Sequence, residues 1–155
     1  MKVPQLSSDE HAQCCWALAN SYYAAARSLL DAGVAETFMP SVFLLLHGFE
    51  LHLKAFLLSQ GMSDKQLRAL SHDLLACLRE CEARGLSRHV RLAWGEQMHI
   101  GRLNRYYKSK ELEYFVPRAK SFGSVELLSG VVLRVSRGIF NPITANTFHA
   151  LSKET

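Results

Sequence analysis

Residues 41–61 read SVFLLLHGFELHLKAFLLSQG and contain the most apolar window of the chain, Val42 to Leu58. Such a window is typical of a helix that crosses a membrane or of a helix at the centre of a folded domain. Four polar or ionisable side chains interrupt it: His47, Glu50, His52 and Lys54. Because each of them would be costly to place in lipid, we predict a buried helix and no membrane span.

The interrupting side chains lie on two faces of this predicted helix. At about 100° per residue, one narrow stripe carries His47, Glu50 and Lys54. A second stripe, about a third of a turn away, carries smaller or less charged residues: Ser41, Gly48, His52, Ala55 and Ser59. We expect the second stripe to face water. The first stripe is either a partly exposed edge with a weak Glu50–Lys54 pair, worth about 0.3–0.5 kcal/mol, or a polar row that lines a cleft or a subunit interface.

Helix start and stop signals recur along the chain. Ser7 and Glu10 have the spacing of a capping box, and Gly33 ends the first helix. The predicted helical segments are, approximately, 8–32, 38–60, 63–70, 72–84, 87–104 and a last one that begins at 124. The pattern predicts a single all-helical domain over residues 1–155, with its core at about 8–138 and a C-terminal tail at about 139–155.

Three later segments carry particular expectations. The helix at 87–104 is predicted to have an apolar side that contains Trp94, Met98 and Leu103. The stretch 105–115 mixes polar and aromatic residues, and its conformation is left open. Pro142 and the residues after it are predicted to form the tail.

Basic residues are concentrated in one part of the chain. Between Arg84 and Lys120 there are nine Lys and Arg against three Glu, whereas the rest of the chain has nine basic and eleven acidic residues. A concentration of this kind attracts nucleic acid or nucleotides by unspecific electrostatics. It is equally compatible with an ordinary solvated helix face.

The cysteines and the short motifs predict neither a metal nor a cofactor. Cys14, Cys15, Cys77 and Cys81 lack the spacing of a zinc site. The start of the chain has no apolar leader, so we expect a cytoplasmic protein whose cysteines are reduced and pack as small side chains. No P-loop, dinucleotide-binding fingerprint, nucleophile elbow or nucleotidyltransferase signature occurs.

Three short motifs, taken together, resemble the HEPN family, the higher eukaryote and prokaryote nucleotide-binding domains. The first is FELHLKAFLL at residues 49–58, followed by Gly61, which is similar to the family's E-L-x-L-K-A helix. The second is HDL at 72–74, and the third spans 103–114, with Leu-Asn-x-x-Tyr-Lys-Ser-Lys-x-Leu-Glu-Tyr. The resemblance covers residues 12–114, about two-thirds of the chain.

The resemblance implies an up-and-down bundle of four to five helices that forms a homodimer. Many members of this family are ribonucleases of toxin–antitoxin and phage-defence systems. Others bind RNA or nucleotides without cleaving them, some beside a nucleotidyltransferase. We therefore expect a non-catalytic domain that binds RNA, a nucleotide or a partner protein, with a nucleotidyltransferase or an antitoxin as the possible partner chain.

A metal-independent ribonuclease is the first alternative function. The ribonuclease members of the family carry an Arg followed by a His after four to six residues, and Arg84 and His89 match that spacing. Gly85 stands where those members have a polar residue, and the match lies in a predicted turn. If the pair acts, His89 exchanges a proton with the ribose 2′-OH or the leaving oxygen, and Arg84 stabilises the phosphate charge.

Further binding candidates lie at the start of the predicted helix at 72–84 and in the stretch that follows the predicted helix at 87–104. His72 is either an acid–base partner of Asp73 or an anchor of the turn, and Asp73 complements the helix dipole. The remaining candidates combine cations with aromatic rings: Arg105, Tyr107, Lys108, Lys110 and Tyr114. They suit base stacking and phosphate contacts, or tyrosines packed on the bundle with solvated lysines. A structural module that docks an acidic protein is the second alternative function.

Overall fold

The apolar window at 42–58 lies within one long helix that is surrounded by the others. The computed structural model describes the backbone of residues 6–151 and the side chains of residues 6–145. Its helices are α1 (Ser8–Ala32), α2 (Phe38–Ser59), α3 (Asp64–Ala69), α4 (Leu74–Ala83), α5 (Trp94–Lys108), α6 (Val125–Gly138) and α7 (Phe140–Leu151). Short 3₁₀ turns occupy Ala35–Thr37 and Leu86–Arg88. No strand occurs in residues 6–151, and the prediction of an all-helical bundle is confirmed.

Helices α1 and α2 form the most extensive contact of the bundle. The buried residues of α1 are Ala12, Ala19 and Ala26, spaced by seven and therefore on one face. Opposite them, a Cβ built on Gly48 would lie 3.1 Å from the Ala19 carbonyl oxygen and 3.5 Å from the Tyr23 amide nitrogen. Small side chains on both helices thus allow their backbones to approach closely.

The core is built around α2, which contacts α1, α3, α4, α6 and α7. Its large side chains, including Leu45, Phe49, Leu53 and Phe56, are fully buried. Burial of each such side chain contributes about 1.5–3 kcal/mol, so this helix supplies much of the driving force for folding. By length and composition the segment Ala35–Ser59 could also cross a membrane, but 72% of its most apolar window is buried inside the bundle.

The predicted helix caps are present. The Ser7 and Glu10 side chains form the capping box of α1, and Gly33 ends that helix at φ 67°. Asp73 accepts a hydrogen bond from the Ala76 amide at the start of α4, and Ser124 caps α6 in the same way. Because each cap satisfies backbone groups that the helix leaves unpaired, these boundaries follow from local sequence.

The helix predicted at 87–104 is wrong in both of its bounds. Gly85, at φ 86°, turns the chain into a 3₁₀ turn whose Leu86 is fully buried. The chain then runs without helix to Ala93, and α5 extends from Trp94 to Lys108. Tyr107 is therefore helical, and the segment whose conformation was left open divides into a helix end and a series of turns.

The predicted tail is also wrong, since Phe140–Leu151 form a further helix, α7. Pro142 lies in the first turn, where its missing N–H removes no helical hydrogen bond. Ile143 is buried, and α7 contacts α1 and α2. The Phe140 ring lies 5.2 Å from the Trp16 ring, so apolar contacts hold this helix on the bundle. The predictions for residues 1–5 and 152–155 lie outside the described residues.

Candidate functional site

The second stripe of α2 is buried, and the prediction that it faces water is wrong. Ser41, Gly48, His52 and Ala55 are inaccessible because α1 covers this side of the helix. His52 Nε2 lies 3.2 Å from the Asn20 Oδ1 of α1. Burial lowers the pKa of His52 to about 4, so its imidazole is neutral at pH 7 and donates from Nε2.

The first stripe forms a buried polar cluster centred on Glu50. This carboxylate is 1% exposed, and three side chains donate to it. Lys54 Nζ donates to Oε1, the Tyr107 hydroxyl of α5 donates to Oε2, and His72 Nδ1 lies 3.0 Å from Oε2. The cluster therefore joins α2, the turn before α4, and α5.

The hydrogen bonds of Tyr107 fix the proton positions in this cluster. Its single hydroxyl proton is donated to Glu50, and His47 Nδ1 lies 2.8 Å from the same hydroxyl oxygen. Because the tyrosine oxygen then acts as the acceptor, His47 carries its proton on Nδ1. His72 likewise needs a proton on Nδ1 to donate to the carboxylate. Each ring leaves Nε2 without a role in the cluster.

The Lys54 ammonium also holds the turn that precedes α4. Its Nζ donates to the Ser71 carbonyl oxygen over 3.0 Å. Ser71 has φ 50°, a left-handed conformation that is unusual for a residue with a side chain. The second hydrogen bond of Lys54 thus stabilises the backbone conformation that places His72 beside Glu50.

A second carboxylate extends the cluster to the start of α4. Asp73 accepts hydrogen bonds from the Ala76 amide over 3.1 Å, from Asn104 Nδ2 over 3.0 Å and from Lys108 Nζ over 2.7 Å. The Asn104 side-chain oxygen accepts in turn from the Leu74 amide over 2.9 Å. Two side chains of α5 therefore fix the first turn of α4.

The electrostatics of the cluster favour one fixed set of charges. Burial opposes ionisation of Glu50, but the hydrogen bonds from Lys54, Tyr107 and His72 outweigh it and hold its pKa below the ordinary value. Burial and the neighbouring Glu50 charge raise the pKa of Tyr107 well above its ordinary value. Burial lowers the pKa of His47.

Within the polar cluster each carboxylate is paired with one ammonium group. Glu50 is paired with Lys54, and Asp73 with Lys108. A buried carboxylate that already accepts three donors has little capacity left for a ligand. This arrangement suits a structural role, in which the cluster sets the relative positions of α2, α4 and α5.

The cluster brings together most of the predicted binding residues. Hydrogen bonds link His47, Glu50, Lys54, His72 and Tyr107, and Lys108 pairs with Asp73, the residue that follows His72 in the chain. The prediction of a weak Glu50–Lys54 pair at a partly exposed edge is wrong, because the Glu50 carboxylate is buried. Of the two interpretations left open for the tyrosines, packing against the bundle describes the buried Tyr107 but not the exposed Tyr114. Tyr114, Arg105 and Lys110 lie outside the cluster and are exposed.

The candidate catalytic pair occupies the region after α4. Arg84 is the C-cap residue of α4, and its guanidinium is engaged by the Glu80 carboxylate and, over 3.2 Å, by the Glu80 carbonyl. His89 is exposed and lies edge-to-face with the Phe56 ring at 5.9 Å. Among the described residues the two side chains share no hydrogen bond.

A different surface contains the functional candidates that sequence reasoning missed. Trp94, at the start of α5, is 77% exposed, and Met98 one turn later is exposed as well. The prediction that they share one apolar helix side with Leu103 is wrong, because Leu103 is buried on the other side of α5. A cavity of about 360 Å³, which we call the α5 groove, opens beside them and is lined by Leu75, Trp94, Met98, Gly101, Arg102 and Arg105.

The helical period of α5 contains a signal for this surface. Trp94, Met98, Gly101 and Arg105 are spaced by four, three and four, so they share one face. The buried Ile100, Leu103 and Tyr107 share the opposite face. A prediction that the helix begins at Trp94 would have distinguished the exposed face from the buried one. The prediction that it begins at residue 87 obscured this difference.

The basic residues between Arg84 and Lys120 fall into two sets, those that pair with a carboxylate and those that do not. Arg84, Lys108 and Arg118 are each paired with a carboxylate, of Glu80, Asp73 and Glu111 respectively. Within residues 84–120, five exposed cations have no acidic partner in the described part of the chain: Arg88, Arg91, Arg102, Arg105 and Lys110. Arg102 and Arg105 lie on α5 and Lys110 follows its end by two residues, so three of the five uncompensated charges lie along or just after this helix.

The cysteines pack as ordinary side chains. Cys77 and Cys81 are buried, and burial raises the pKa of Cys77 to about 12. Their thiols are therefore protonated at neutral pH. Within the described residues no group of three or more His, Cys, Asp and Glu side chains is placed to hold a metal ion.

Comparison of this chain with known proteins gives no relative. No family model, no curated protein and no solved structure matches it. The function is therefore inferred from the geometry of the chain itself.

Proposed function

We propose that this chain is a HEPN-like domain that binds RNA through the outer face of α5 and does not cleave it. The observation that supports this proposal is the α5 groove, where Arg102 and Arg105 have no acidic partner and lie beside the exposed Trp94. Guanidinium groups bind phosphates, and an exposed aromatic ring offers a surface for a base.

The contrast with the polar cluster supports the choice of this face. The carboxylates of the cluster are saturated by donors from the chain itself. Along α5, by comparison, Arg102 and Arg105 have no counter-charge. Uncompensated surface charge attracts a polyanion and releases its counterions on binding.

A salt titration with matched variants tests this proposal. The probe is a fluorescently labelled oligouridine of about 12 nucleotides, and its anisotropy is measured from about 50 to about 200 mM salt. We expect Arg102→Gln/Arg105→Gln to weaken binding roughly tenfold at low salt and to reduce the slope of log K against log salt by about 1.4, which is two phosphate contacts.

The matched control removes the same charge from another surface. Lys65 and Arg68 on α3 are exposed basic residues outside the basic stretch. The variant Lys65→Gln/Arg68→Gln should retain the salt slope of the unmodified chain. Equal losses in both variants, or no RNA binding at low salt, would contradict the proposal and leave the interaction module that docks an acidic protein.

The ribonuclease alternative receives less support from the local contacts. The Arg84 guanidinium is occupied by Glu80, and a group that stabilises a phosphate must be free to reach it. We expect RNA to stay intact when incubated with excess protein in EDTA. Cleavage that is lost in His89→Ala would establish the nuclease instead.

The assembly and setting of this domain stay predictions from the family resemblance. They comprise a homodimer, a nucleotidyltransferase or antitoxin partner, a role in a toxin–antitoxin or defence system, and a cytoplasmic location. Sedimentation of the purified chain tests the first of them, and co-purification with the product of a neighbouring reading frame tests the second.

A further inference from the structure

We infer that the α5 groove takes an unpaired nucleotide of single-stranded RNA, with the base on the Trp94 indole and neighbouring phosphates on Arg102 and Arg105. This inference rests on the proposed function and specifies its ligand. A duplex keeps its base faces stacked inside the helix, so only an unpaired base can use an exposed indole in this way.

The position of Gly101 in the floor of the groove indicates that the shape of the groove matters for binding. Glycine in a helix interior lowers the helix equilibrium about fivefold relative to alanine, which corresponds to about 1 kcal/mol. A Cβ built on Gly101 would meet only Leu75 side-chain carbons, at 3.7 and 4.0 Å, which is ordinary contact. Since packing does not require glycine here, its effect is to keep the floor of the groove low.

The walls of the groove combine the two chemistries that a nucleotide needs. Trp94 and Met98 provide an exposed apolar wall, and Arg102 and Arg105 follow on the same helix. The volume of about 360 Å³ is within the range of small-molecule sites. When a base lies against the apolar wall, its sugar and phosphates point toward Arg102 and Arg105.

Charge complementarity selects RNA over a second copy of this chain. In a twofold contact through this face, the groove of one protomer would meet the same groove of its partner. That arrangement would bring Arg102 and Arg105 toward their own copies without an acidic residue to separate them, and juxtaposed like charges oppose association.

The test compares binding of single-stranded oligouridine and of a duplex of equal length, with the protein at low salt. We expect the single strand to quench the exposed Trp94, and Trp94→Leu to weaken single-strand binding roughly tenfold, the effect of losing one stacked base. Duplex binding should change by less than about twofold, because it depends on phosphate contacts. Trp94→Phe should recover part of the loss.

Two glycine variants distinguish the effect of groove shape on RNA binding from the effect of helix stability. Gly101→Ala and Gly95→Ala both replace a glycine of α5, and a Cβ at Gly95 meets nothing within 4 Å. Both variants should unfold at a higher denaturant concentration, but only Gly101→Ala should weaken single-strand binding. Equal affinity of both variants would overturn the inference.

The outcomes distinguish the inference from the proposed function. If Trp94→Leu binds the single strand normally while Arg102→Gln/Arg105→Gln does not, the stacking site is wrong and RNA binding stands. If neither variant affects binding, both are wrong. A tighter complex with a polyglutamate peptide than with RNA, or dissociation of a dimer by Trp94→Leu, would also overturn the inference.

Discussion

The polar cluster around Glu50 and the α5 groove use similar residue types in opposite ways. Both combine an aromatic side chain of α5 with cationic groups, Tyr107 with Lys54 in the cluster and Trp94 with Arg105 in the groove. In the cluster every cation meets a carboxylate and the centre is 1% exposed. In the groove the cations have no such partner and the indole is open to solvent.

This difference teaches that composition alone does not identify a binding site. The cluster has the more unusual chemistry, with a buried carboxylate, a phenol and two imidazoles. Its donors and acceptors are nevertheless matched within the chain. A ligand binds more readily where interactions are left unsatisfied, which is the face of α5 that carries Trp94.

The largest expected effect comes from breaking the cluster at its centre. Glu50→Ala leaves the Lys54 ammonium, the Tyr107 hydroxyl and the His72 imidazole without their acceptor. Removing one partner of a buried ion pair costs about 3–5 kcal/mol, so we expect a loss of about 3 kcal/mol in the free energy of unfolding, measured with urea. The matched control is Glu126→Gln, whose carboxylate pairs with Arg27 at an exposed site and should cost less than about 1 kcal/mol. Equal costs would mean that the cluster is not structural.

The second largest effect is a loss of stability in acid that originates at His52. Its pKa is about 4 in the folded chain, below the ordinary value of about 6.5. The folded state therefore favours the neutral ring. Its contribution is complete above pH 6.5 and is lost as the pH falls toward 4, by about 3 kcal/mol over the whole window. Glu50, whose pKa is also lowered, loses its contribution at lower pH, as the carboxylate is protonated.

Thermal or urea unfolding as a function of pH measures this effect. In His52→Gln, whose amide can still donate to Asn20, stability should vary much less between pH 6.5 and 4. RNA binding through Arg102 and Arg105 should not follow the same curve, because guanidinium groups do not titrate in this range. A pH profile unchanged by His52→Gln would show that another group carries the acid sensitivity.

A smaller effect is expected when one donor of the cluster is removed. Tyr107→Phe keeps the packed ring but removes the hydroxyl between Glu50 and His47. We expect a loss of about 1–3 kcal/mol in stability, which is the cost of leaving buried polar groups unsatisfied. The affinity of the folded variant for RNA should be unchanged. A variant that is fully stable but deficient in RNA binding would reverse the roles of the two regions.

The smallest effect on stability is expected in the groove. Arg102→Gln/Arg105→Gln removes exposed side chains that have no ion pair in the described part of the chain, so its free energy of unfolding should stay within about 0.5 kcal/mol of the original. Urea unfolding checks this. A marked loss of stability would mean that these arginines support the fold, and their effect on RNA binding would then need a different explanation.

Much of the polar cluster could be predicted because it depends on short-range spacing, whereas the α5 groove could not. The spacing of His47, Glu50 and Lys54 places them on one stripe of any helix, and the HDL motif places Asp73 at a helix start. The contact of Glu50 with Tyr107, 57 residues later, has no such local cause. The helical spacing singled out Glu50 and the mix of cations and aromatic rings singled out Tyr107, but neither pattern predicts that the two side chains meet.

The amino-acid sequence by itself determined α1 to α4 and the start of α6, because periodic apolar residues, caps and glycines act within one or two turns. It also determined that α2 carries two polar stripes. Only the tertiary structure decided which stripe is covered, since that depends on where α1 and α5 pack. For the same reason it decided that Tyr107 closes the polar cluster while Trp94, on the opposite face of the same helix, remains open to solvent.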